Sequence, residues 1–254
     1  MEIKTIQWGF STIGCPELTL SEAEALGRCS GYPLLEVRIA DDTFSDVAVL
    51  KLLAAQKRCF ILGSSFGLIT DDDIYREKLK NIATLAARCN IPYVRIFGGC
   101  AYAEPENEEK LRNAQRNLDF FEGLNLPVQL VLETHDFFSS ARRIYDLFQK
   151  TGRKLPVIWD TYHTYFSGKE PLQKSWELLS EHIIDIHVKD GSSSGLTLPG
   201  NGVFPFSELF ELLKKNRYSG MITCEHEKMW HPELPELKEA FRALDVLKKA
   251  SGFL

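Results

Sequence analysis

Eight short apolar runs recur along this chain at intervals of about 26 to 38 residues, and their spacing narrows the choice of fold more than any other feature. They are IKTIQWGF from residue 3, PLLEVRIA from 33, CFILGSSF from 59, YVRIFGG from 93, VQLVLETH from 128, VIWDTYH from 157, IIDIHVKD from 183 and MITCEHE from 221. Each is rich in β-branched or aromatic residues, as a strand should be. Helical patterns lie between them. Thr70-Asp71-Asp72-Asp73 opens DIYREKLKNIATLAARCN with a capping-box-like start and an acidic first turn, followed by apolar positions 79, 82, 85 and 86. ENEEKLRNAQRNLDFFEGLN, SSARRIYDLFQKTG, PLQKSWELLSEH, FSELFELLKKNRYSG and LPELKEAFRALDVLKKASG repeat the form. Strand and helix alternate, and parallel neighbours need a crossover helix, so the chain predicts an α/β protein with parallel strands. Eight units favour closure into a single (β/α)8 TIM barrel over residues 1–254, with a doubly wound open sheet as the alternative.

Several functional classes fit the chain poorly. A net charge of −5 without a dense Lys/Arg run weighs against a nucleic-acid partner, because phosphate neutralisation supplies most non-specific affinity. No apolar run approaches the ~20 residues of a membrane span. The N-terminus lacks a signal-peptide pattern, and the expected location is the cytoplasm. Six scattered cysteines, at 15, 29, 59, 89, 100 and 224, contain no C-x-x-C pair and read as reduced, mostly buried side chains.

Polar residues cluster at the ends of the runs, and the C-terminal strand ends form the active-site face of such a barrel. The fifth run ends LVLETHD, the sixth VIWDTYHTY, the seventh DIHVKDG and the eighth ITCEHEK, each bringing acids or imidazoles to one rim. Strand alternation adds directions: if Val131 faces the interior, so do Glu133 and His135, and His187 goes with Lys189. Glu133, Asp160, His187 and Glu225, from four strands, can meet at one point. Three carboxylates and one imidazole suit Mn²⁺ or Mg²⁺, with Co²⁺ or Zn²⁺ as alternatives. Without a cation such acids repel one another.

The pieces LETH, Asp160-Thr-Tyr-His163, HVKD at 187–190 and CEHE resemble the xylose isomerase-like TIM-barrel superfamily, which holds sugar isomerases, ketose 3-epimerases, inosose dehydratase and endonuclease IV. The stretch LPGNGVFPFSELFELLKKNRYSGMITCEHE is similar to that superfamily's path from strand seven to strand eight. The resemblance implies one divalent metal ion on the four residues named, a small sugar-like substrate, and Glu133 and Glu225 as acid and base on its two faces. The implied reaction is isomerisation or epimerisation of a small sugar or polyhydroxy ketone through an enediolate. Dehydration of a cyclic polyhydroxy ketone is the alternative, and a non-catalytic sugar-binding barrel the weaker one. A homo-oligomer is also in keeping with it. The third and fourth runs end without the histidines of endonuclease IV. Ser139 and Ser193 stand where ketose 3-epimerases carry Glu and Arg, which weighs against free hexuloses as substrates.

Around this centre, His163, His135 and Lys189 are expected to touch substrate, with Trp230 and Phe138 walling the pocket. A structural ion pair explains His135, Lys189 and Glu227 equally well. Glu36 and Arg38 share one strand face and are expected to pair inside the barrel, with Arg95 also structural. Asp190 is expected to orient a neighbour or start a turn. GSSSGLTLPGNG at 191–202 is expected to be a flexible solvent loop, with a lid or an amide cradle for phosphate as alternatives.

Overall fold

A computed structural model describes residues 6–39, 44 and 46–253. The barrel strands are β1 (Gln7–Ser11), β2 (Leu34–Arg38), β3 (Cys59–Gly67), β4 (Tyr93–Phe97), β5 (Gln129–Glu133), β6 (Val157–Asp160), β7 (Ile183–Val188) and β10 (Met221–Cys224). They close in the order β1-β10-β7-β6-β5-β4-β3-β2, and every barrel pairing is parallel. The expected barrel is therefore the observed fold, and the open sheet is excluded. Strands β8 (Asp190–Ser192) and β9 (Gly195–Thr197) form a separate antiparallel hairpin after β7.

The helices are α1 (Leu20–Cys29), α2 (Val47–Ala55), α3 (Asp73–Cys89), α4 (Glu108–Gly123), α5 (Ala141–Thr151), α6 (Thr161–Phe166), α7 (Leu172–Leu179), α8 (Phe206–Lys215) and α9 (Leu237–Ala250). Local chemistry sets their ends. Asp72 caps α3 by accepting from the amides of Ile74 and Tyr75, and Asn90 ends it in the left-handed region at φ 57°. Thr19 and Glu22 make a reciprocal capping box on α1. The start of α5 is capped from outside. The carboxylate of Glu170 accepts from the amides of Ala141 and Arg142 and from the hydroxyls of Ser140 and Ser175, tying α5 to α7.

Two layers of side chains give the barrel its polarity. The outer faces of the strands meet the helices in the main apolar core. Inside, Leu34, Ile61, Val131, Ile158 and Met221 form a small apolar layer near the N-terminal ends of their strands. Two residues further along four of these strands the interior turns polar, with Glu36, Glu133, Asp160 and Thr223 buried, joined by the buried Arg95 of β4 and His187 of β7. Among the described residues, no helix is long and apolar enough to cross a membrane.

Candidate metal centre

Register, more than chain order, assembles the centre. Asp160 on β6 lies opposite His187 on β7, and His187 lies opposite Thr223 on β10. The amide of Glu225 then donates to Val188 O at 3.1 Å, carrying the β10 pairing one residue past its strand. Alternation from Val131, Ile158 and Met221 turns Glu133, Asp160 and Glu225 inward. Glu133, Asp160, His187 and Glu225 each offer one ligand atom, all within 4.8 Å of one another, and all four are buried.

The surroundings of these atoms fit a cation. Glu133 Oε1 and His187 Nδ1 are buried without a hydrogen-bond partner. Buried polar atoms are normally satisfied, so two orphans facing one point mark a place for a ligand. His187 Nδ1 lies 3.6 Å from Glu133 Oε1 and 3.4 Å from Glu225 Oε1. Its other nitrogen, Nε2, faces Glu36 Oε2 and Asp185 Oδ2, each at 3.4 Å. Carboxylates on the far side of a ligating imidazole keep the proton there and leave the other nitrogen's lone pair for the metal. Asp185 is itself steadied by the Thr223 hydroxyl at 2.8 Å.

Two cations already sit among these acids. Arg95 donates to Glu133 Oε2 at 2.6 Å, and its guanidinium lies over the Phe97 ring at 4.2 Å. Gly63 makes room for it, since a Cβ there would come within 2.8 Å of the guanidinium. Lys189 Nζ reaches Asp160 at 2.7 Å and both Glu225 and Glu227 at 2.5 Å. Titration follows this layout. Burial opposes ionisation of Glu133, yet Arg95 holds its carboxyl down at about 2. Burial likewise opposes the Glu225 carboxylate, and Lys189 and His187 keep it well below the usual range. Asp160 is pushed up to about 7 by burial, with Glu225 and Glu133 adding repulsion against Lys189. Burial disfavours the charged form of His187, but Glu225, Glu133 and Glu36 raise it well above an ordinary imidazole. Burial, Lys189 and His135 keep His163 neutral.

Other expected site residues divide. His135 and His163 meet edge-to-face with centroids 4.1 Å apart beside the ligands, and Trp230, 57% exposed, lines the mouth. Phe138 does not wall this pocket: it is packed into a separate cavity between α4 and α5, with Ile69, Leu111 and Leu147. The run VIWDTYH is a strand only to Asp160, because the Asp160 carboxylate accepts from the His163 amide at 2.9 Å and starts α6. Glu36 does not pair with Arg38. It accepts from Ser11 Oγ at 3.0 Å, while Arg38 donates to Ser64 O and Ser65 Oγ. Segment 191–202 is ordered around Asp190, whose carboxylate accepts from the amides of Gly191, Gly200, Gly202 and Phe204. Those amides are therefore already engaged, which removes the phosphate cradle. Sequence reasoning overlooked Asp185. A second inward-facing acid two residues before His187 was the available signal.

This buried quartet on consecutive strand ends coincides with a match of residues 38–250 to the family described as xylose isomerase-like TIM barrel. The chain belongs to that family. Among curated proteins, an inosose dehydratase from Bacillus thuringiensis is 31% identical over 115 residues, which is 38% of this chain and 38% of that protein's length. Among solved structures, the probable 3-DHS dehydratase AsbF from Bacillus anthracis superposes with a TM-score of 0.75 at 16% identity, covering 94% of this chain and 99% of that one. A D-allulose 3-epimerase from Methylomonas sp., solved in complex with D-allulose, gives 0.74 at 18% identity and covers 97% of each chain. At such identities these two superpositions speak to the barrel alone.

Proposed function

We propose that this protein is a metal-dependent isomerase or epimerase of a small polyhydroxy ketone, acting by proton removal next to the carbonyl. The observation that carries this is the convergence of Glu133, Asp160, His187 and Glu225 on one buried point, with two of the acids on well-separated strands. A divalent cation held there supplies a Lewis acid for a carbonyl and its neighbouring hydroxyl. The protein's own groups do the rest. Strands β5 and β10 have β6 and β7 between them, so Glu133 and Glu225 approach a substrate from different sides. Arg95 fixes one oxygen of Glu133 and Lys189 one oxygen of Glu225, which sets the direction each carboxylate faces. His163, kept neutral, can donate or accept a hydrogen bond at a substrate hydroxyl. Return of the proton to the same carbon from the other face gives epimerisation, and return to the neighbouring carbon gives isomerisation.

The test is solvent exchange. Mn²⁺-loaded protein incubated with a panel of ketoses in deuterated water should place deuterium on carbon. Glu133→Gln and Glu225→Gln should each slow it by about 10²- to 10⁴-fold while the proteins remain folded. No incorporation across the panel would count against the proposal, and full biological activity in Glu225→Gln would favour a binding barrel.

Dehydration of a cyclic ketone is the second reading, and Lys189 favours it. A buried ammonium in contact with Glu225 and Glu227 is placed to give a proton to a departing hydroxyl, and the curated relative carries a dehydratase name. Ultraviolet absorbance of a conjugated enone separates this outcome from isotope exchange without elimination.

A further inference from the structure

The opening above the metal ligands is a cavity of about 230 Å³ with Arg38, Arg95, Phe97, His135 and Trp230 in its wall. Three basic side chains reach this region, and two are committed. Arg95 is held by Glu133, and Lys189 by Asp160, Glu225 and Glu227. Arg38 differs. It stands at the end of β2, two residues beyond the inward-facing Glu36, and among the described residues its terminal nitrogens donate only to Ser64 O and Ser65 Oγ. Its Nε is buried with no hydrogen-bond partner among the described residues. Among the described residues no carboxylate lies within ion-pair distance of it. Glu36, Glu133 and Glu225 act on it only from further away, and burial together with Arg95 lowers its pKa to about 10.

A half-buried guanidinium with no carboxylate beside it among the described residues is costly, and its planar fork matches carboxylate and phosphate oxygens. The geometry points to a substrate that carries an oxyanion, a carboxylate or a phosphate, at the end remote from its hydroxy-carbonyl, with Arg38 as the residue that reads it. This inference rests on the proposed chemistry at the metal centre, and it narrows the substrate to an acidic or phosphorylated polyol. Glu227, which also lines the cavity, is tied to Lys189 at 2.5 Å.

Calorimetric titration of the Mn²⁺-loaded protein with D-glucose, D-glucuronate and D-glucose 6-phosphate tests it, since the three differ only at the carbon farthest from the carbonyl. One charged sugar should bind about tenfold or more tightly than glucose, as expected for a charge-assisted contact, and which one does so identifies the oxyanion. Arg38→Met should abolish that advantage, bringing the charged sugar down to the affinity of glucose. Arg38→Lys should retain part of it, which also guards against a folding defect in the methionine variant. Equal affinities for all three sugars, or an advantage that survives Arg38→Met, would overturn the assignment of Arg38 while leaving the metal chemistry standing. Failure of all three sugars to bind would also overturn that assignment, while the metal chemistry is judged separately by isotope exchange with ketoses.

Discussion

A metal ion binding among these residues would have to displace protons from His187 and Asp160. Glu225, Glu133 and Glu36 raise the His187 imidazole well above its usual value against the effect of burial, and burial with its acidic neighbours brings Asp160 to about 7. Both groups therefore bind protons near pH 6 and must release them to ligate, so metal affinity should fall as pH falls. Titrating Mn²⁺ in buffers of different ionisation enthalpy should show more than one proton released at pH 6 and fewer at pH 8. Lys189 competes for the same carboxylates, so Lys189→Met should leave Mn²⁺ affinity undiminished while turnover drops by about 10²-fold or more. Arg95 poses the opposite case. Removing it strands the buried Glu133 carboxylate, and Arg95→Met should cost about 3–5 kcal/mol in urea unfolding. At this scale the four converging residues, Glu133, Asp160, His187 and Glu225, are legible in the sequence because each closes an apolar run, where strand period alone fixes direction. The partners of Arg38 and Glu36 are not legible. Both face inward as alternation requires, but whether they meet each other depends on the strands alongside, and there Ser11 and Ser64 intervene.

Elements are read well where period and caps agree and poorly where one polar side chain redirects the backbone. The six helices with clear apolar stripes between the runs are present, and α3 begins at its acidic cap. Helix α6 is hidden because Thr161–Phe166 continues the β-branched and aromatic character of β6, while the Asp160 cap overrules that local propensity. The hairpin after β7 is hidden for a related reason: serines and glycines suggest a mobile loop, and only the fold shows Asp190 gathering amides from as far as Phe204. Asp190→Ala leaves those buried donors without an acceptor. We expect it to destabilise the protein by about 1–3 kcal/mol and to open segment 191–204 to proteolysis, as mass spectrometry of the nicked fragments would show. Mn²⁺ affinity should change little, since none of the four ligands lies on the hairpin.

For the whole molecule, eightfold spacing defines the barrel before any residue is assigned a role, because a parallel strand followed by its crossover helix consumes a fixed length of chain. Ligand strands β5, β6, β7 and β10 are contiguous in the closed sheet, so a bound cation ties half of the barrel together. At a hundredfold excess over its dissociation constant, Mn²⁺ should stabilise the fold by about 2.7 kcal/mol, visible as a higher melting temperature that chelator reverses. Glu225→Gln should blunt that shift. Leu34, Ile61, Val131, Ile158 and Met221 close the barrel beneath the polar layer. The cup thus has a closed floor, and reactant and product would share the opening beside Trp230. Neither can enter while the other is inside, so added product should slow turnover by pure competition, raising KM and leaving kcat untouched.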